Sequence, residues 1–189
     1  MNKIFTDWVY GGLVAGCLLL FLFPLFTIAW PTYMKLCYLT LPVYMIHQYE
    51  EWGQDRFRIF INQHIANGKD LLTHKAGFVI NIFGVWGVIA ISMYLAYYFE
   101  PGYAAIAAFL VLVNALVHIA AALVLKMYNP GLLTAIFLFL PLGSYLVYSI
   151  NQVQGVDVDY QYFGLLVAVA IHVGIVFYLL ARKRSMILS

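Results

Sequence analysis

Six apolar runs, each close to the twenty or so residues that a helix needs to cross the hydrocarbon of a bilayer, take up most of this chain. They fall at about residues 8–29, 33–51, 76–98, 103–126, 130–150 and 160–181, and the breaks between them are mostly short. Trp30-Pro31 ends the first, Glu100-Pro101-Gly102 the third and Lys126 the fourth, while Arg182-Lys183-Arg184 closes the last. Asn129-Pro130 reads as the start of the fifth, an Asn cap with Pro at the first helical position. In lipid the backbone must satisfy its own polar groups, so runs of this kind are helices. Only 10% of the 189 residues are charged, against about 25% in a soluble domain. The expectation is an all-α, polytopic membrane protein: one domain over residues 1–189, a bundle of about six transmembrane helices. The first run is read as a retained span, since no small-residue cleavage site follows a short core.

Charge supplies an orientation. If all six runs cross, Lys3, Arg56, Arg58, Lys69, Lys75, Lys126, Arg182, Lys183 and Arg184 share one face, nine of the ten basic residues, and Lys35 faces away. The basic face is expected to be cytoplasmic, with both termini inside. The connection from 52 to 75 alternates Phe57, Ile59, Phe60, Ile61 and Ile65 with polar residues. It predicts a short amphipathic helix on the cytoplasmic interface, ending near Asn67-Gly68 and placed to act as a lid. His64 and His74 in this connection are read as solvated. A net charge of +2 gives no nucleic-acid footprint. Cys17 and Cys37 do not make a disulfide framework and are expected simply to pack.

Ionisable groups inside such spans are expensive, and here they agree in depth. His47, Glu50 and Glu51 end the second span. Asn81 opens the third, Asn114 and His118 lie in the cytoplasmic half of the fourth, Asn129 and Thr134 begin the fifth, and His172 precedes the basic anchor of the sixth. At 1.5 Å per residue, His172 and His118 sit about 15 and 12 Å below their basic anchors. His47 shares a helix face with Glu50 at i+3 and Glu51 at i+4, and Asn114 with His118 at i+4. Histidines and carboxylates converging from several helices are a usual set of transition-metal ligands. The reading is a metal held by His47, Glu50, His118 and His172, with Glu51 or Glu50 as catalytic base. Asn81, Asn114, Asn129 and Thr134 would orient the ligands or the substrate. Taken singly, each group has a plainer role: a buried His bonded to backbone, a Glu reaching the headgroups or paired with Arg56 or Arg58, an Asn joining helices.

His47-Gln48-Tyr49-Glu50-Glu51 resembles the signature of the HXXEE family of small membrane proteins. Asn81, Asn114-x-x-x-His118 and Tyr128-Asn129-Pro130-Gly131-x-x-Thr134 are similar to that family's other polar positions, so the resemblance runs over about residues 40–180. It implies a site at His47, Glu50 and Glu51 and supplies no substrate. Intramembrane CAAX-type proteases carry a Glu-Glu-x-x-x-Arg element, but Arg56 comes one residue too late for it. Sterol-isomerase-like membrane folds, which use His and Glu without a metal, are another loose analogy.

The function expected is that of a membrane-embedded enzyme dependent on a divalent transition metal, zinc or iron. It would act on a lipid or isoprenoid-type substrate entering sideways from the bilayer, and would hydrolyse it through a metal-bound water. Two other readings stay open. One is metal-free acid–base chemistry of an isomerase type on a lipid. The other is non-catalytic binding, including a b-type haem with His118 and His172 as axial ligands. Polar groups confined to one half of the bilayer argue against a transport path.

Overall fold

The computed structural model describes residues 3–188, and among these there are helices and no strand. The long elements are α1 (Ile4–Phe26), α2 (Thr32–Trp52), α4 (His74–Tyr98), α5 (Pro101–Leu125), α6 (Leu132–Asn151) and α7 (Asp159–Leu188). Between α2 and α4 lies the short α3 (Arg56–His64). The first turn of α5 is a 3-10 turn, and π-helical stretches interrupt α4 at Ile80–Gly87 and α6 at Ala135–Phe139.

Five of these helices, α1, α4, α5, α6 and α7, are long and apolar enough to cross a membrane. The second apolar run, expected as a sixth span, is helical from Thr32 to Trp52 but does not reach that composition. Its Lys35, Gln48, Glu50 and Glu51 dilute the apolar residues. The packing explains how it tolerates them. α2 lies against α1, α4, α5 and α6, so protein surrounds much of it, and His47, Gln48 and Glu51 are buried. Its direction is fixed by α1, from which residues 27–31 separate it. Tyr38 donates to the Leu19 carbonyl at 3.1 Å, and Trp52 packs on Trp8 at 5.9 Å between ring centroids. The two helices are therefore antiparallel along most of their length.

α5 is the other central helix, touching α2, α4, α6 and α7. Its Ala104, Ala105, Ala107, Ala108 and Ala115 are fully buried, and such small residues let neighbouring backbones approach where the hydrophobic effect drives no association. At Gly164 of α7 a Cβ would stand 2.6 Å from the Ala105 carbonyl carbon, so this crossing requires glycine. Large apolar side chains such as Phe21, Phe83, Phe137 and Phe177 point outward, as lipid-facing residues do.

The connection after α2 contains the short helix its pattern predicts, ending at His64 rather than near Asn67-Gly68. Gln54 and Asp55 take left-handed backbone conformations that turn the chain from α2 into α3. Phe60 and Ile61 are buried in a cluster with Trp52, Leu71 and Leu72, and the chain turns at Asn67 and Gly68, both at positive φ. Asn62 ties the following loop down: its amide accepts from Leu72 N at 2.8 Å and donates to the Leu72 carbonyl and Asp70. Arg58 pairs with Asp55 and Asp70, not with Glu51, and Arg56 donates to the Gly53 and Tyr49 carbonyls. The last helix continues past its expected end at 181 and carries Arg182, Lys183 and Arg184 within it. Lys183 donates to the Ile65 carbonyl and Lys69 to the Met186 carbonyl, so the basic tail and the α3 loop occupy the same end of the bundle.

Candidate metal centre

The site forms where the end of α2 meets α5, and the turn between α5 and α6 closes it. Helical spacing puts His47 and Glu51 on one face of α2, and that face meets α5 at His118. The ring nitrogens of His47 and His118 and one Glu51 oxygen lie within 4.8 Å of one another, and all three residues are buried. Glu51 Oε1 is 3.0 Å from His118 Nε2 and 3.6 Å from His47 Nε2.

The outer nitrogens of both rings are already engaged. Asn129 donates through Nδ2 to the His118 carbonyl at 2.9 Å, which fixes its amide and turns Oδ1 to His118 Nδ1 at 2.6 Å. An amide oxygen only accepts, so His118 carries a proton on Nδ1. Thr134 Oγ1 donates to Glu50 Oε2 and so accepts from His47 Nδ1 at 2.7 Å. Both imidazoles thus present Nε2 to the Glu51 carboxylate. Three acceptors facing one another inside a protein repel unless a cation or a proton lies among them. A single proton on His118 would bridge to Glu51, while His47 Nε2, which is buried, would still have no hydrogen-bond partner among the described residues. A cation serves all three at once. Two nitrogens and one carboxylate oxygen are a donor set that zinc accepts.

Gly131 closes the group from the α5–α6 turn. It adopts φ +99°, and a Cβ there would meet His118 Cε1 at 2.7 Å, Glu51 Cγ at 2.8 Å and His47 Cε1 at 2.9 Å. The one missing side chain thus touches every member of the group. Aromatic rings supply the remaining walls: Phe139 from the π-helical stretch of α6 stacks on His47 at 4.3 Å, and Phe57 of α3 lies 6.0 Å from His118. Through Phe57, α3 thus reaches the His118 ring.

Glu50 stands apart, although it neighbours Glu51 in sequence. Successive residues on a helix point about 100° apart. Its Oε1 accepts from Tyr128 Oη at 2.7 Å and from Leu133 N at 3.1 Å, and its Oε2 accepts from Thr134 N at 2.8 Å and from the Thr134 hydroxyl. Glu50 thus caps the exposed N–H groups at the start of α6, where a carboxylate also meets the positive end of the helix dipole. This corrects the expected cap: α6 begins at Leu132, and Asn129 and Pro130 lie in the turn before it. Asn129 bonds His118 instead. Burial, and then the carboxylate it donates to, push the Tyr128 phenol up to about 12.

His172 is not drawn into the group. Its Nδ1 is bonded to the Ala168 carbonyl at 2.8 Å, one turn back on its own helix. His118 aims Nε2 at Glu51, so the geometry lends no support to a haem shared between His118 and His172. Asn114 lies one turn before His118, and its Oδ1 is buried without a partner among the described residues. Asn81 accepts from Gln48 Nε2 at 2.7 Å and donates to the Gly77 carbonyl, while Trp86 donates to Gln48 Oε1. Fully buried Gln48 thereby locks α2 to the π-helical part of α4 beside the site. Gln48, Phe139 and the closing role of Gly131 were missed in the sequence. Only the close spacing of Gly131 to Asn129 and Thr134 pointed that way.

Residues 38–146 match the model of a family described as protein of unknown function with HXXEE motif. The match contains His47, Glu51, His118 and Gly131, and it stops before His172, short of the expected 180. No curated protein and no solved structure matches the chain.

Proposed function

This chain belongs to the HXXEE family, whose function is unknown, and we propose that it is a membrane-embedded, metal-dependent enzyme acting on a lipid or isoprenoid-type substrate. The metal would be held by His47 Nε2, Glu51 Oε1 and His118 Nε2. One observation carries the reading: three buried acceptors converge, with both Nδ1 protons already directed outward. Zinc bound by three protein ligands keeps a fourth position open and lowers the pKa of water there to about 7, which is the chemistry of hydrolysis. Glu50 is fully occupied in capping α6 and is assigned a positioning role. Asn129 and Thr134 hold the two rings with Nε2 facing inward, the usual task of groups behind metal-bound histidines.

A lipid substrate suits the surroundings. α2 is taken as a sixth span, antiparallel to α1, and both termini as cytoplasmic, on the side where nine of ten basic residues then fall. The group would lie in the cytoplasmic half of the bilayer, reached between helices. The 3.0 Å contact between His118 and Glu51 favours one other reading, a proton shared by that pair for isomerase-type chemistry.

Elemental analysis of detergent-purified protein, never exposed to chelator, separates the two. The expected result is about one equivalent of zinc or iron, as a single three-ligand site requires. Glu51→Gln and His118→Ala should lose it, and Glu50→Gln should keep it. Folded wild-type protein without metal would overturn the proposal in favour of proton transfer.

A further inference from the structure

A groove of about 550 Å³ runs between α4 and α7. This size falls in the range of roughly 300–1,000 Å³ typical of small-molecule sites. Ile80 from α4 and Ile171 and Ile175 from α7 form apolar walls, while Lys75 and Arg182 stand at one end. No acidic residue lines it. From Arg182 to Ile171 the α7 wall extends about 16 Å, at 1.5 Å per residue. That is close to one leaflet, half of a hydrocarbon core of about 30 Å. The basic end is also the end where the α3 loop and the tail of α7 meet.

The charged end is incompletely satisfied. Arg182 donates through Nη2 to the Asp70 carbonyl at 3.2 Å, but its Nε is buried with no partner among the described residues. Asp70 meets Arg182 through its carbonyl, and its carboxylate Oδ1 accepts from Arg58 and Asn62. A charged N–H left unpaired in a buried place calls for an acceptor. An amphiphile with an anionic head and an apolar tail of one-leaflet length complements every part of this groove.

We propose that the groove between α4 and α7 seats an anionic phospholipid of the cytoplasmic leaflet, with its phosphate against Arg182 and Lys75 and one acyl chain along Ile80, Ile171 and Ile175. His47, Glu51 and His118 are not among its lining residues, and lipid binding here needs no metal chemistry. Two glycines make it testable without disturbing the core. A Cβ at Gly84 or Gly174, both in the groove wall, would meet nothing within 4 Å, so larger side chains there grow into the groove.

The experiment is native mass spectrometry of the detergent-purified full chain, titrated with phosphatidylglycerol, phosphatidylcholine or inorganic phosphate. Wild type should retain phosphatidylglycerol at least tenfold more tightly than phosphatidylcholine. Gly84→Leu and Gly174→Phe should each weaken that binding tenfold or more while melting no lower than wild type. Lys75→Gln with Arg182→Gln should reduce phosphatidylglycerol to the level of phosphatidylcholine. Equal retention of the two lipids by wild type would overturn the proposal. So would phosphatidylglycerol binding that survives both filled grooves, or inorganic phosphate competing as well as the lipid.

Discussion

A methyl group at position 131 would press on both imidazoles and on Glu51 at once. It would also have to sit on a left-handed backbone, which costs a residue with a Cβ about 1–2 kcal/mol. Gly131→Ala is therefore expected to lower the melting temperature modestly and to remove most of the bound metal, because the ligands must move to admit the methyl. Metal content per folded protein checks this, and unchanged content would remove Gly131 from the site. Tyr128 offers a second test at this scale. Its phenol is raised from the usual 10 to about 12, so the folded state holds a proton that the unfolded state releases first. The stabilisation is fully present below pH 10 and is lost as pH rises through about 12. Subtracting the alkaline absorbance titration of Tyr128→Phe from that of wild type should leave one phenol titrating near 12. A difference centred near 10 would mean that Tyr128 does not donate to Glu50. Part of this residue-scale picture was legible in the sequence: the i, i+4 spacing of His47 and Glu51 and the common depth of His118. Which glutamate faces inward was not, because neighbours on a helix differ by about 100° and both flanks of α2 are apolar. His172 deceived for the same reason: depth in the bilayer follows from counting residues, but the direction of one side chain on an all-apolar helix does not.

At the scale of elements, the site depends on how three helix ends are held. Glu50 couples the end of α2 to the start of α6, and Asn129 couples the turn before α6 to α5. Gln48 couples α2 to α4. Both π-helical stretches lie beside the group, one carrying Asn81 and the other Phe139, and such insertions re-aim side chains at functional sites. Nothing in the hydropathy of these runs announces a π turn, so the sequence predicted plain helices there. The amphipathic α3 was legible from its alternation of aromatic and polar residues. Its Phe57 bridges Trp52 and the His118 ring. Phe57→Ala should leave metal content intact in purified protein and cost about 3 kcal/mol or less, since Phe57 is only partly buried. It should speed metal loss to a soluble chelator severalfold, because the ring shields His118. An unchanged rate would mean that α3 is a structural prop and not a lid.

Across the whole molecule, α2 poses the question that hydropathy left open. A helix surrounded by other helices need not be apolar enough to face lipid, because its neighbours are its solvent, and this is why α2 carries the site's carboxylates. By length and hydropathy, α1, α4, α5, α6 and α7 are each able to cross a membrane. The antiparallel packing of α2 on α1 argues for six, since its tyrosine and tryptophan contacts run from one end of α1 to the other. Two positions decide it: Ala29, exposed in the turn between α1 and α2, and Lys69, exposed in the loop after α3. In a chain with Cys17→Ser and Cys37→Ala, Ala29→Cys and Lys69→Cys should react with a membrane-impermeant maleimide from opposite sides. Lys69→Cys should share its side with Ser185→Cys, as the contact of Lys69 with the Met186 carbonyl demands. If Ala29→Cys and Lys69→Cys label from the same side, α2 does not cross, the parity of the bundle changes, and Lys3 leaves the basic face. The metal group would then lie at a bilayer surface, and a soluble substrate would replace a lipid as the one to try first.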